Sequence, residues 1–143
     1  GEYKVYGGNG VLGTHDDFFL SGKRLVIGRV GEYCGNVHLI DGKYWITDNA
    51  FIVDKISEEV TYEYLEIGLN YLNLNKYRVI SAQPSISQGA ILSLEFPIPP
   101  IKIQNEIVNK ITNLKSQIQQ LTTNHSQLKI EAEQEFEKQI FNS

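Results

Sequence analysis

The sequence contains no methionine and one cysteine, Cys34. A lone thiol closes no internal disulfide and holds no structural zinc by itself, which excludes both covalent staples and a zinc module. Stability must come from packing. No apolar run approaches the ~20 residues of a membrane-spanning helix, and no charged start followed by an apolar stretch marks a secretory signal. A cytoplasmic protein without a membrane segment is expected. An excess of positive charge is also missing, with 13 Lys and Arg against 17 Asp and Glu, a formal charge of −4. Taken alone this balance argues against nucleic-acid binding. Gly1 in first place and the absence of methionine give the expectation of a fragment or a trimmed chain.

What is present is ordinary for a folded protein: 143 residues with an apolar fraction of 41% and a charged fraction of 21%. Since roughly 100–200 residues make a domain, there is room for one domain and an appendage. Glycine marks the division. All 12 glycines lie between Gly1 and Gly89, and none falls in the last 54 positions. The boundary runs through Phe96-Pro97-Ile98-Pro99-Pro100, where the prolines hold the backbone extended and exclude a helix interior. The expected division is therefore a β-rich domain over 1–100 and a helix over 101–143, an α+β arrangement.

Upstream of the prolines, short runs rich in β-branched and aromatic residues alternate with glycine turns: Tyr3 to Tyr6, Arg24 to Val30, Asn36 to Ile40, Lys43 to Thr47 and Ala50 to Val53. Runs of this length and punctuation predict strands of an antiparallel, partly irregular sheet, with Asp41-Gly42 as a hairpin turn between two of them. From Ser57 a helix is predicted to about Leu72, with Ser57 as cap, Glu58 and Glu59 in the first turn, and Gly68 as a weak point.

Lys102 to about Ile140 holds neither glycine nor proline. Ile107, Ile111, Leu114, Ile118, Leu121, His125, Leu128 and Ala132 are spaced alternately by four and three, a heptad seam that asks for a coiled-coil partner. Phe136 and Ile140 then follow at spacing four, so the stripe drifts off the seam. At ~1.5 Å per residue such a helix is on the order of 60 Å long, more than a small domain needs for its own core.

No catalytic constellation emerges. His15 with Asp16 and Asp17, and Cys34 with His38, are the pairs that chemistry would use first, yet neither has a third, orienting member. The plain reading of Thr14 to Asp17 is a polar loop, and of Cys34 a small buried or turn residue. Gly7-Gly8-Asn9-Gly10 lacks the lysine and hydroxyl of a phosphate-binding P-loop and reads as a tight turn. No metal site is expected. His125 occupies a seam position, where a polar residue sets register, responds to pH or, as the plainer reading, is merely tolerated. Lys4, Lys23, Arg24, Arg29 and Lys43 are interleaved with Tyr3, Tyr6, Tyr44 and Trp45, a mixture suited to phosphate and base contacts. Residues 1–100 nevertheless carry 8 bases against 12 acids, so any basic face must be local.

Five ordered strings carry a resemblance: GEYKVYGGNG from Gly1 to Gly10; IGRVG from Ile27 to Gly31 with GNV from Gly35 to Val37; YWITDNAF from Tyr44 to Phe51; AQPSIS from Ala82 to Ser87; and IPPI from Ile98 to Ile101 with Gln104, Ile107 and Val108. Together they resemble the bacterial DNA-specificity subunits of Type I restriction-modification systems, over nearly the whole chain. The resemblance implies a β-rich target recognition domain followed by one long coiled-coil helix serving as spacer. In that family two domains and two antiparallel helices make a subunit, each domain reading half of a split DNA sequence. This chain resembles half of one, so a second copy or a second half of the subunit is the implied partner.

The resemblance further implies a subunit without catalytic activity. Its partners would be double-stranded DNA, modification (methyltransferase) subunits and a restriction subunit, with S-adenosylmethionine bound on the modification subunit and no cofactor in this chain. Partners of that kind supply phosphate attraction, which reconciles an acidic balance with DNA binding. Two departures stand out: Ile103 precedes Gln104 where the family usually has Glu, and the family domain starts before the position matching Gly1. Shared glycines and Asn49 are assigned to shape. Loop and turn polar residues are the expected DNA contacts: Asn9, His15, Lys23, Arg24, Lys43 and Tyr44. Ile107, Ile111, Leu114, Ile118, Leu121, His125 and Leu128 form the expected partner helix face. Two other readings compete, a protein-interaction adaptor with an oligomerising helix, favoured by the acidic balance, and the recognition end of a fused methyltransferase-nuclease.

Overall fold

Arg24-Leu25-Val26-Ile27-Gly28 is apolar on both sides of an extended chain, and a strand of that kind is stable only between two covering layers. In the computed structural model, which describes residues 1–141, it lies in the middle. Strand β4 (Arg24–Gly28) pairs antiparallel with β5 (Val37–Ile40) on one side and β7 (Ala50–Val53) on the other. Leu25 and Ile27 pack into one core with Cys34, Val37, Leu69, Leu74 and Ile86. Val26 packs into a second core with Ile40, Tyr44 and Ile46. The helical segments cover the first core and another sheet covers the second, giving the expected α+β fold.

That other sheet differs from expectation. It has the order β2-β1-β6-β3, formed by β1 (Tyr3–Gly7), β2 (Gly10–His15), β3 (Leu20–Ser21) and β6 (Lys43–Ile46). The pair β1·β6 is parallel, with Val5 opposite Trp45. Asp41-Gly42 therefore joins strands of two different sheets and is not a hairpin turn. Its local chemistry is as read, since Asp41 Oδ1 accepts the Gly42 N–H at 2.7 Å. The Gly42 carbonyl, however, accepts from Gly22 N at 2.8 Å, which carries the chain out of its first sheet. A hairpin forms instead at Gly8-Asn9, where Gly10 takes φ +107°, the left-handed region that favours glycine. Strand β2 was not predicted because all its residues after Gly10 are exposed, so the strand has no apolar alternation.

Helix α1 (Tyr62–Leu72) begins four residues later than Ser57 suggested as a cap. Thr61 is the cap, its Oγ1 accepting from Tyr64 N at 3.2 Å, while Ser57 Oγ accepts from Glu59 N in a local turn. The Gly68 weak point has a packing reason. A Cβ there would overlap the ring of Phe96, and that ring also packs against Tyr64 at 5.2 Å between centroids. From the same helix Asn70 accepts from Val37 N at 3.2 Å and donates to Val37 O at 3.1 Å. Glu66 accepts the Leu39 N–H. Side chains thus satisfy the free edge of β5, which would otherwise invite pairing with another chain.

A 3-10 turn (Leu74–Tyr77), helix α2 (Gln88–Leu92) and helix α3 (Ile101–Phe141) complete the described residues. The chain divides into two compact units, Gly1–Asn105 and Glu106–Ser143. The division falls one turn into α3 because Gln104 is wholly buried. No helix among the described residues is long and apolar enough to cross a membrane.

Candidate nucleic-acid interface

Strand β6 alternates: Lys43 and Trp45 are exposed, while Tyr44 and Ile46 are buried. This parity decides the fate of two candidates. Tyr44 is 1% exposed; its hydroxyl donates to Gly22 O at 2.6 Å and accepts from Arg24 Nη1 at 3.2 Å. Burial in the core between the sheets removes it from the contact surface, which corrects the expectation for Tyr44. Lys43 points outward, its Nζ 4.7 Å from the centroid of the Phe18 ring, a cation–π distance.

Around Lys43 the outer face of the four-stranded sheet is aromatic. The Trp45 ring lies 5.3 Å from His15 and 5.5 Å from Phe19, and Phe18 lies 5.1 Å from Tyr3. His15 is exposed at the end of β2, and its Nδ1 accepts from Asp17 N at 3.1 Å. Thr14 and His15 are thus strand residues, and only Asp16 and Asp17 occupy the expected loop. The structure brings His15 and Lys43 together on one surface with Trp45, Phe18 and Phe19, aromatic residues absent from the expected contact set. Their signal was the alternation Lys43-Tyr44-Trp45-Ile46 combined with the unrecognised β2 alongside it.

The other basic candidates are engaged by partners within the chain. Lys23 pairs with Glu63 of α1. The hydrogen bond to Glu63, then its charge, raises the Lys23 ammonium above its ordinary range; the same bond holds the Glu63 carboxyl below its own. Arg24 bonds Asp54 at 3.0 Å through Nε, besides Tyr44 and the Ser21 carbonyl. Tyr44 first and Asp54 second hold its guanidinium more firmly charged. Asn9 is exposed at the hairpin tip, where its Oδ1 accepts from Asn36 Nδ2 at 3.3 Å.

The pairs considered for chemistry do not assemble. Cys34 is fully buried in the core under the helical layer. His38 stands opposite Val26, on the face of the sheet turned away from that core. Among the described residues no group of three or more His, Cys, Asp or Glu is placed to hold a metal ion.

Sequence reading missed the anchor at the start of α3. Gln104 Oε1 accepts from Thr61 N at 2.9 Å, and its Nε2 donates to Glu59 O at 2.7 Å and Pro99 O at 2.8 Å. Both amide hydrogens are used, so the side chain locks the proline run and the first turn of α3 to the cap of α1. Beyond it the seam is bare: Ile118, Leu121 and Leu128 are more than 60% exposed, His125 is exposed, and Ile107 and Leu114 are exposed to lesser degrees. Ile111 is half-buried. Apolar side chains repeated at heptad spacing favour burial against another helix.

The β-rich unit thus carries an exposed aromatic face that includes Lys43 and His15, and α3 carries a bare apolar seam. The family model for the Type I restriction modification DNA specificity domain matches residues 1–132, and the chain belongs to that family. The specificity subunit of the EcoprrI Type I restriction enzyme from Escherichia coli is 31% identical over 123 residues, covering 84% of this chain and 30% of that protein. The same fold occurs in the crystal structure of a Type I restriction-modification S subunit from M. genitalium. There the TM-score is 0.65 at 18% identity, over 86% of this chain and 34% of that one. The chain thus spans about a third of the length of both proteins.

Proposed function

We propose that this chain is a non-catalytic, sequence-specific DNA-recognition half of a Type I restriction-modification specificity subunit. The family match over residues 1–132 carries the reading, because it extends through both the β-rich unit and the whole seam of α3. The unit Gly1–Asn105 reads one half of a bipartite site. His15 and Lys43 on the aromatic face, and Asn9 at its hairpin tip, meet the DNA. Lys23 and Arg24 serve it by holding β4 in place, through ion pairs with Glu63 and Asp54. Through Ile107, Ile111, Leu114, Ile118, Leu121, His125 and Leu128 the helix pairs with a second copy or with the second half of the subunit. Methyltransferase subunits, which hold S-adenosylmethionine, and a restriction subunit then assemble on it in the cytoplasm.

Replacement of the β-rich unit tests this reading against an adaptor role. An assembly of this chain with methyltransferase subunits is expected to lose its DNA preference when residues 1–100 are exchanged for an unrelated domain. Retention of the same preference would mean that the partners read the sequence and that the head is an adaptor.

A further inference from the structure

Of the three arginines in the chain, Arg24 is bonded to Asp54, Tyr44 and Ser21, and Arg78 folds back onto Asn75. Arg29 is exposed and, among the described residues, its guanidinium makes no hydrogen bond or ion pair. Its backbone, by contrast, is held from both sides: Arg29 N donates to Asn49 O at 2.9 Å, and Arg29 O accepts from Ile86 N at 3.0 Å. The next residue, Val30, forms a bridge with Ser85, and Gly31 N donates to Pro84 O at 2.8 Å. A fixed backbone carrying an uncommitted guanidinium has the build of a ligand-binding group rather than of a structural one.

Arg29 lines an open groove of about 470 Å³ with Val30, Phe51, Gln83, Ser85 and Ser87, and no Asp or Glu lines it. This is notable in a unit where acids outnumber bases. Ser87 Oγ accepts from Ala90 N at 3.1 Å, which leaves its hydroxyl hydrogen to donate elsewhere. The groove therefore offers donors around a cation, a set matched to an anionic oxygen. Its shape selects which part of a duplex enters. Base edges lie at the bottom of a groove and are reached by parts of a protein that protrude, whereas a concave notch receives the convex sugar-phosphate ridge.

We propose that the Arg29 groove seats a backbone phosphate of the DNA, with Phe51 and Val30 packing against the adjoining sugar. The proposal rests on the DNA-recognition reading above and adds a contact that fixes register without reading sequence. It divides the domain's surface into a part that specifies and a part that positions.

The test uses the assembly of this chain with methyltransferase subunits, and two probes: a duplex that the wild type selects from a random pool, and a scrambled duplex. Binding is measured across a salt series for wild type, Arg29→Ala and Arg29→Lys. Arg29→Ala is expected to weaken binding to both duplexes by the same factor, about tenfold, and to reduce the salt slope by about 1. Arg29→Lys, which keeps the charge and loses the fork, is expected to recover the slope and part of the affinity. Thermal melting should be unchanged in both variants, because the guanidinium holds nothing within the fold. Unchanged affinity in Arg29→Ala, or a changed preference at one base pair with the slope intact, overturns the phosphate seat while leaving DNA recognition standing. Failure of the wild type to select any duplex overturns the recognition reading itself.

Discussion

The buried amide of Gln104 takes the Thr61 N–H at 2.9 Å, and this one bond joins the residue that caps α1 to the first turn of the long helix. The same side chain donates to Glu59 O and Pro99 O, so one residue satisfies three backbone groups that would otherwise lose water without gaining a partner. Unmade bonds of that kind cost more than made ones return. Gln104→Ala is expected to lower stability by about 2–4 kcal/mol, read by urea or thermal unfolding. A loss within ~0.5 kcal/mol, the size of an ordinary surface change, would show that water replaces the amide without cost.

Gly68 and Phe96 make a second such pair, by contact instead of bonding. Gly68→Ala adds a methyl group into the Phe96 ring; helix propensity favours the change by up to ~1 kcal/mol, while overpacking opposes it by about 1–3 kcal/mol. The net effect should be destabilising. In a Phe96→Ala background the same substitution should become neutral or stabilising, and a double-mutant cycle measures the coupling. Additive effects would mean that the ring moves aside freely.

The Lys23–Glu63 pair links the residue just before β4 to α1 on a surface where both side chains are 41% exposed. Solvent screens such a pair, so Glu63→Gln should cost under about 1 kcal/mol near neutral pH and less in high salt. Glu63 has its folded pKa lowered; its contribution is present above the unfolded carboxylate range and is lost as pH falls through the lowered value. Lys23 has its folded pKa raised, so the pair persists below the usual lysine range and is lost as pH rises through the raised value. Wild type and variant should therefore differ between those limits and converge outside them in pH-resolved unfolding curves. A difference that persists unchanged in acid would assign the effect to packing of Glu63 instead.

Trp45 is the single tryptophan of the chain and is 37% exposed on the aromatic face, which makes its fluorescence a reporter of that face alone. Duplex DNA bound by the assembly should change Trp45 emission; substituting Lys43 by Ala should weaken binding by roughly fivefold or more, an effect of about 1 kcal/mol or more. To keep partner tryptophans silent, the partners are prepared with tryptophan replaced by a non-fluorescent analogue. Emission unaltered by saturating DNA would place the interface elsewhere on the domain.

Much of the fold was legible where each strand carries its own pattern. Ala50 to Val53 and the end of α1 at Leu72 fall where their apolar spacing and flanking residues put them. The topology was not legible, because Asp41-Gly42 has the composition of a hairpin turn while β6 pairs with β3 and with β1, the latter some 40 residues away in sequence. Local turn chemistry fixes a change of direction, whereas pairing is set by which faces the cores bury. The same limit applies to the site. Tyr44 and Trp45 are adjacent aromatics, and only the parity of β6, set by burial of Tyr44 and Ile46, distinguishes a core residue from a surface one. Lys23 and Arg24 look free in sequence because Glu63 and Asp54 lie 40 and 30 positions away.

The seam of α3 leads to a prediction about assembly. Leu121→Asp removes one apolar contact from each of two paired helices, a loss of roughly 3 kcal/mol, and places a charge in the interface. Light scattering should show a dimer of the wild-type chain and a shift toward monomer in the variant, with melting of the β-rich unit unaffected. A wild-type chain that remains monomeric at all accessible concentrations would assign the seam to the second half of a longer subunit instead of to a second copy.

Sequence-specific recognition itself is tested most directly by sequencing the duplexes that the assembly of this chain with methyltransferase subunits retains from a random pool. The expected result is enrichment of two short half-sites at a fixed spacing, identical and inverted if two copies of this chain supply both recognition units. A retained pool with the composition of the input would contradict the DNA-recognition role.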